Sequence, residues 1–349
     1  MPAYYDENKK TWYCKFYYTD WQGQRKQKLK RGFKLQREAK EWERLFLEKL
    51  QGTPDMTFQA LYELYMEDVR HRLREGTAND KKSLFENRIL PYFKNKPINA
   101  ITPADIRQWQ NVQIGKGYSD AYLDRMQGNL STLFNYAVRF YDLPANPCRK
   151  AGHMGKCTRS MKFWTLEQFN QVISYVKDPA AYTALLVLFY SGMRTGELLA
   201  LTLADLDFTA CTININKAIR HIAGKGDTIT PPKTENSIRT IIIPGSVMQQ
   251  LQDYCNRIYG LSPSDRIFPF TRKLIRGNME RGAKAAGVPF IRIHDLRHSH
   301  VSMLIDLGFS TYLIAERIGD TVQMVNNTYG HLYPTKHQEV ADRLDQLMK

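Results

Sequence analysis

IHDLRHSHVSMLIDLGFSTYLIAERIGDTVQMVNNTYGH, residues 293–331, decides how the rest of the chain is read. His294 stands at the head of a helical stretch and Arg297 follows three residues on, which puts both on one helix face. Leu296, Val301, Leu304 and Ile305 supply the inward side. Gly308 stops the helix, residues 312–317 predict another, and Tyr329 comes near the end. A guanidinium fork holds two phosphate oxygens at once, and an aligned hydroxyl forms covalent intermediates that split one hard step into two. A cationic pair near a tyrosine therefore points to phosphoryl transfer onto a phenolic oxygen. Tyr312 and Tyr333 are rival nucleophiles on sequence alone.

Upstream, TLEQ at 165–168 is a capping box ahead of a helix with Phe169, Val172 and Ile173 inward. An apolar helix then ends at Tyr190, with a break at Gly192, and SGMRTGELLAL at 191–201 places Arg194 just past this buried element. Spacing alone favours an ordinary i,i+3 surface ion pair between Arg194 and Glu197. Residues 211–244 predict strands: CTININKAI first, a turn around Gly224–Asp227, and SIRTIIIP last, with Lys233 on a turn in PPKTENS before the final strand.

HDLRHSH at 294–300, the TYGH ending in His331 and SGMRTGELLAL together resemble the tyrosine recombinases, most closely integrases of temperate phages and integrative conjugative elements. The likeness spans the chain, weakly in the first half and strongly from Trp164 onward. It implies a multidomain, mainly α protein with an α+β catalytic domain: a small N-terminal β-sheet plus helix, a helical core-binding bundle and the tyrosine-recombinase catalytic domain. Implied roles follow the motifs: Arg194, His294 and Arg297 contact the scissile phosphate, Glu197 and His331 support the site, and Tyr329 is the nucleophile. Lys233 matches the family's hairpin lysine, which protonates the leaving 5′ oxygen, with Lys217 and Lys225 as rivals.

One position departs from the pattern. Where the family usually has Gly-His or Gly-Trp, this chain has Gly319 and Asp320. A carboxylate beside a phosphodiester repels it unless it is protonated, turned away or paired. Asp320-Thr-Val-Gln323 fits a capping box, so Asp320 is expected to start the helix that carries Tyr329. His298 and His300 are extra histidines; no carboxylate at a supporting spacing accompanies them, and neither a metal nor any other cofactor is expected.

The whole composition agrees with a DNA-acting protein. The 349 residues carry 50 Lys and Arg against 35 Asp and Glu, a net +15, which favours a polyanionic partner. Five scattered cysteines, without paired short spacings, predict reduced thiols in a cytoplasmic protein. No apolar run is long enough for a membrane span, and a nucleoid-associated location in a bacterial host is implied.

Residues 1–52 predict short strands at 11–20 and 24–33 and a helix at 36–50; their basic side chains Lys15, Arg25, Lys26, Lys28 and Lys30, with Tyr13 and Tyr17, are candidate contacts of an arm-type DNA-binding domain. Period-two patterning does not say which face is outward. Residues 56–148 predict a four-helix core-binding domain, with helices over about 57–73, 80–93, from ITPADI at 101–106, and 119–141. Residues 149–163 read as a basic, acid-free linker, with Arg149, Lys150, Lys156 and Arg159 as DNA contacts. Residues 164–349 form the catalytic domain. Within it, the basic helix from 272 offers Arg272, Lys273 and Arg276 to DNA, and a last helix after Pro334, with Val340, Leu344, Leu347 and Met348 on one stripe, is expected to dock in a neighbouring protomer.

The function implied by the resemblance is site-specific recombination through a 3′-phosphotyrosyl intermediate, integrating and excising a mobile element. Expected partners are double-stranded DNA at core and arm sites, a homotetramer on DNA, an excisionase and a host DNA-bending protein, and no membrane. A chromosome-dimer-resolving recombinase and an inactive DNA-binding protein of the same fold are the alternatives.

Overall fold

The computed structural model describes residues 3–7, 9–19, 25–51, 54–155, 161–222, 226–232 and 235–333. The chain divides into two units, Met1–Arg159 and Ser160–Lys349.

The first unit opens with an antiparallel sheet, β1 (Ala3–Asp6), β2 (Thr11–Thr19) and β3 (Arg25–Phe33), in the order β1-β2-β3. Alternation along β2 turns Cys14 and Phe16 inward, where they pack with Trp12, Tyr18, Trp42 and Phe46 against α1 (Gln36–Gln51). Gly32, at φ +90°, takes up a register shift: Trp12 pairs with Phe33, but Tyr13 pairs with Arg31.

The helical part contains α2 (Phe58–Arg70), α3 (Glu75–Leu84), α4 (Leu90–Phe93), α5 (Pro103–Gly115), α6 (Asp120–Phe140) and α7 (Pro147–Ala151). Thr57 caps α2, and Thr102 and Asp105 form the expected box on α5. The predicted helix over 80–93 starts earlier and is interrupted by a π-turn, Phe85–Ile89, in which the Leu90 N–H donates to Phe85 O. Pro91 lies immediately beyond and cannot donate to the ladder, so the widened turn absorbs its missing bond. The core holds Phe58, Phe85, Phe93, Trp109 and Phe134, all fully buried.

The first residues of the expected linker belong to this core. Ala151 and Met154 are buried beside Cys148, the last residue of the expected core-binding domain; Gln110 donates from Nε2 to Gly152 O at 2.8 Å, and a side chain at Gly155 would meet Asp120 O at 2.4 Å. Sequence polarity hid this because the anchoring residues are small or lone apolar groups on either side of the exposed pair Arg149 and Lys150. Lys156 and Arg159 lie outside the described residues.

The second unit begins with Trp164, buried between Ser299, which accepts from its backbone N–H, and Pro289 O, which accepts from its indole. Then come α8 (Leu166–Ser174), α9 (Pro179–Ser191) and α10 (Thr195–Leu198). Strands β4 (Leu206–Asp207), β5 (Thr212–Ile215), β6 (Ala218–Ile222), β7 (Gly226–Thr230) and β8 (Arg239–Ile242) form two sheets, β4-β5-β8 and the hairpin β6-β7. The expected single strand at 211–219 is therefore split at Asn216–Lys217. The cause is Asp205, which accepts from Asn216 Nδ2 and from Lys217 Nζ and pulls the chain out of the ladder.

Helices α11 (Gly245–Asn256), α12 (Arg272–Ala286), α13 (Asp295–Asp306), α14 (Thr311–Ile318) and α15 (Val322–Tyr329) complete the described part. The main core runs from Trp164 through α8, α9, the strands and α12 to Leu296, while Val301, Ile305, Ile314, Ile318, Val325 and Tyr329 form a smaller cluster beside it. No helix among the described residues is long and apolar enough to cross a membrane. The stripe predicted after Pro334 lies outside those residues.

Candidate active site

Three buried turns meet where α9 ends, α13 begins and α14 gives way to α15. Gly192 caps α9 in the left-handed region, at φ +66°, and a side chain there would come within 2.5 Å of the His300 ring. His300 is fully buried: its Nδ1 pairs with Phe189 O at 2.8 Å and its Nε2 accepts from Arg317 Nε at 3.1 Å. Burial and the Arg317 charge push this imidazole down to about 3, so it is a neutral strut joining α13 to α9 and α14.

That strut sets the two arginines. Arg297, buried on α13, donates from Nη1 to Gly192 O at 2.9 Å and to Ile318 O at 2.7 Å, and from Nη2 to Asp320 Oδ2 at 2.8 Å. Arg194, at the head of α10, reaches the same Asp320 oxygen from Nη2 at 3.3 Å and Ser237 Oγ from Nη1 at 3.3 Å. Burial, with the charges of Arg194 and Arg239, brings Arg297 down to about 10, which leaves it charged at neutral pH.

Asp320 is not the cap expected for α15. Thr321 takes that place, its side chain accepting from Met324 N at 3.1 Å. Gly319 ends α14 at φ +67° and turns the next carboxylate back toward the arginines. A four-residue pattern could not distinguish adjacent cap candidates; the left-handed Gly319 decided between them.

Glu197 is not a surface partner either. Its side chain is almost wholly buried, accepting from Arg194 N at 2.9 Å and Arg194 Nη1 at 3.0 Å, and from Arg239 Nη2 at 3.1 Å. Burial alone would raise its pKa, but the Arg239 charge and these hydrogen bonds outweigh it and hold the carboxyl below its ordinary value. Arg239, which no motif singles out, is spent on Glu197, Arg317 O and Ser237 O.

Tyr329 is buried and its hydroxyl lies 2.6 Å from His298 Nδ1. Burial pushes the phenol up to about 12, against the lowering effect of Arg297. His294 is at the N-terminus of α13, its ring edge-on to His298 at 5.4 Å. Loss of solvent around the ring, with the Arg297 charge, brings it down to about 4, so it is neutral at physiological pH. His331 is exposed and makes no hydrogen bond among the described residues. Lys233 lies outside them; Ser237, four positions on, is the residue that touches Arg194. The rival Lys217 is bound to Asp205 and Thr202 and is not free for chemistry; Lys225 lies outside the described residues. Arg272, Lys273 and Arg276 are exposed at the start of α12, and Arg272 comes close to Gly196 in the turn that carries Arg194.

In the N-terminal sheet, register sorts the candidates into two groups. Tyr13, Lys15 and Tyr17 stand on the face away from α1, with Arg25 over the Tyr17 ring at 4.6 Å and Arg31 over Tyr13 at 5.8 Å. Lys26, Lys28 and Lys30 pair with Tyr18, Phe16 and Cys14, so they belong to the helix-covered face, and Lys28 folds over Phe46. Arg31 and Tyr4, stacked on Tyr13, are additions to the open face.

Residues 2–50 match the arm DNA-binding domain, 57–112 the N-terminal SAM-like domain of phage integrases, and 160–336 the phage integrase family. The chain is 30% identical to the ICEBs1 integrase of Bacillus subtilis over 93% of its own length and 90% of that protein's. It is 25% identical to the integrase of Staphylococcus phage L54a, over 81% and 87%. Its fold is shared with the Tn1549 transposon integrase solved with transposon right end DNA, at TM-score 0.69, 20% identity and coverage of 84% and 100%. A lambda integrase dimer on a COC′ core site gives TM-score 0.57 at 15% identity, covering 94% and 95%. The chain belongs to the phage integrase family, as a tyrosine recombinase of the phage and integrative-element type.

Proposed function

We propose that this recombinase cuts and rejoins DNA at an attachment site with Tyr329 as nucleophile, integrating and excising the element that encodes it. The observation that carries this is the convergence of Arg194 and Arg297 on one anionic oxygen, Asp320 Oδ2, near enough to Tyr329 for the Arg297 and Asp320 charges to act on its phenol. Here the carboxylate oxygen stands in for a nonbridging oxygen of the scissile phosphate. Two guanidinium groups aimed at one point suit the charge that grows there in a pentacoordinate transition state.

In that mechanism Tyr329 Oη bonds to phosphorus as the 5′ oxygen leaves, and Lys233 supplies the proton to the leaving oxygen. A 5′ hydroxyl from the partner strand reverses the attack. His294 donates to the phosphate, while Glu197 fixes Arg194 from behind. Asp320 gives up at least one arginine when the phosphate arrives, since two anions at one oxygen's position repel. His331 is assigned a supporting role at the end of α15.

Residues 1–52 serve as the arm-binding domain, through Tyr13, Lys15, Tyr17 and Arg25 on the open face, with Lys26, Lys28 and Lys30 of the edge strand β3 contributing from the helix-covered face. Residues 56–148 serve as the core-binding domain. Arg149, Lys150, Lys156 and Arg159 follow the backbone between the two lobes, and Arg272, Lys273 and Arg276 flank the site. The working unit is a homotetramer on two duplexes, with an excisionase and a host bending protein setting direction, in the bacterial nucleoid. A groove beside Asp320 lined by Ile238, Ile242, Phe309, Tyr312 and Leu313 supports docking of a neighbour's C-terminal segment.

Incubating wild type and Tyr329→Phe with a nicked suicide duplex carrying the attachment core tests the proposal. A detergent-stable adduct from wild type alone is the expected result. Binding of the duplex by both without any adduct would sink it and favour an inactive DNA-binding role.

A further inference from the structure

The Tyr329 hydroxyl needs somewhere to send its proton, and burial makes that proton harder to lose. Among the described residues its one hydrogen-bond partner is His298 Nδ1, at 2.6 Å, from a helix 31 positions earlier in the chain. We infer that His298 is a catalytic residue, the general base that takes the Tyr329 proton during strand cleavage and returns it on rejoining; this rests on Tyr329 being the nucleophile.

The surroundings of the ring prepare it for that task. Asp295 Oδ1 lies 4.0 Å from His298 Nε2, too far for a hydrogen bond but close enough to favour the tautomer with its proton on Nε2. Nδ1 then presents a lone pair to the phenol. Asp295 is itself buried and fixed by Arg292, whose backbone N–H donates to it at 2.9 Å and whose Nη2 donates at 2.8 Å. The remaining groups around the pair are His294, edge-on to the ring, Arg297 from α13, and Asp320 from the α14–α15 turn. Burial lowers the imidazole, and the charges of Arg292 and Arg297 work the same way against Asp295, so His298 is neutral and able to accept at pH 7. A carboxylate, an imidazole and a hydroxyl in this order repeat the logic of a nucleophile oriented through its base by a third group.

The step balances without an added reactant. The Tyr329 Oη–phosphorus bond forms, the phosphorus–O5′ bond breaks, the phenolic proton moves to His298 Nδ1, and the 5′ oxygen takes a proton from Lys233. Rejoining runs each transfer backward. Among the described residues neither of the other bases nearby, His294 and Asp320, hydrogen-bonds the phenol: His294 lies edge-on to His298, and Asp320 faces the arginines.

The test measures adduct formation on the nicked suicide duplex from about pH 5 to about pH 9 for wild type, His298→Asn and His298→Ala. Asparagine places an acceptor oxygen where Nδ1 stood, so it keeps the tyrosine positioned but cannot take its proton in this range. Wild type is expected to slow on acidification below the ordinary imidazole value, and His298→Asn to be about 10²–10⁴-fold slower at pH 7 without that acid limb. Added imidazole is expected to restore part of the His298→Ala rate, which a purely structural role would not allow. An Asn variant within about threefold of wild type, or one keeping the same acid limb, overturns the inference. Wild-type adducts with an unaffected Asn variant remove only the role of His298; absence of adducts from wild type removes the nucleophile assignment and this inference with it.

Discussion

Arg239 donates from Nη2 to Glu197 Oε2 at 3.1 Å, with both side chains almost completely shielded from water. The pair lies directly behind Arg194, which the same carboxylate holds through its other oxygen. Removing the charge by Glu197→Gln leaves two guanidinium groups short of a counterion and is expected to cost about 3–5 kcal/mol, read as a loss in chemical unfolding. An unchanged midpoint would show that Arg194 and Arg239 find other partners.

The same carboxyl gives a pH signature. Its folded pKa lies below the ordinary 4.5, so its contribution is fully present above that value and is lost as pH falls through the depressed folded value. Wild type is therefore expected to lose stability below about pH 4.5 more steeply than Glu197→Gln, by thermal unfolding across that range. Parallel curves would remove Glu197 from the acid transition.

Replacing Asp320 by asparagine separates fold from chemistry. Arg194 and Arg297 lose a charged acceptor, and stability is expected to fall by about 1–3 kcal/mol. Repulsion of the incoming phosphate falls too, and an amide can donate to it. Adduct formation is expected to rise by about tenfold, the equivalent of ~1.4 kcal/mol off the barrier. A slower variant would mean that Asp320 keeps both arginines in place throughout cleavage.

Gly192 and Gly308 both have left-handed backbones, at φ +66° and +83°, but only Gly192 has a neighbour, the His300 ring. Gly308→Ala is expected to cost about 1–2 kcal/mol, from the backbone alone. Gly192→Ala should cost clearly more and slow adduct formation, because the His300 strut and Arg297 move with it. Equal losses in a denaturant titration would mean that the ring swings aside freely.

On the N-terminal sheet, Lys15→Ala is expected to weaken arm-duplex binding across sequences and reduce the salt slope by about one ion, whereas Lys28→Ala, on the other face, is expected to do less. Titrations at several salt concentrations check this. A larger loss at Lys28 would put the helix-covered side against DNA.

The arginines, the tyrosine and the helices around them were legible because their signals are local: a capping box, a glycine stop, a motif of seven residues. His298 was not, since its importance comes from α15 returning to α13 with Tyr329 on its last turn. The two lysine-bearing faces could not be told apart because one bulge at Gly32 sets the pairing of the whole of β3. Arg239 reads as an ordinary strand residue until Glu197 is seen beneath it. Asp320 was legible as an anomaly, but its partners lie 23 and 126 positions away.

The cluster of Arg194, Arg239, Arg297, Glu197 and Asp320 has three positive and two negative groups, so it carries one net positive charge. An intact phosphodiester brings one negative charge, and the site with DNA in it reaches electroneutrality. The pentacoordinate state adds a second negative charge that none of these five groups can balance. That second charge is the one exposed when the Tyr329 proton departs, and an imidazolium formed at His298 would balance it at the same moment and in the same pocket. A cluster whose described charges balance whole DNA, and which gains a further positive charge as the proposed base deprotonates the nucleophile, would hold an attachment site quietly until the tyrosine is committed.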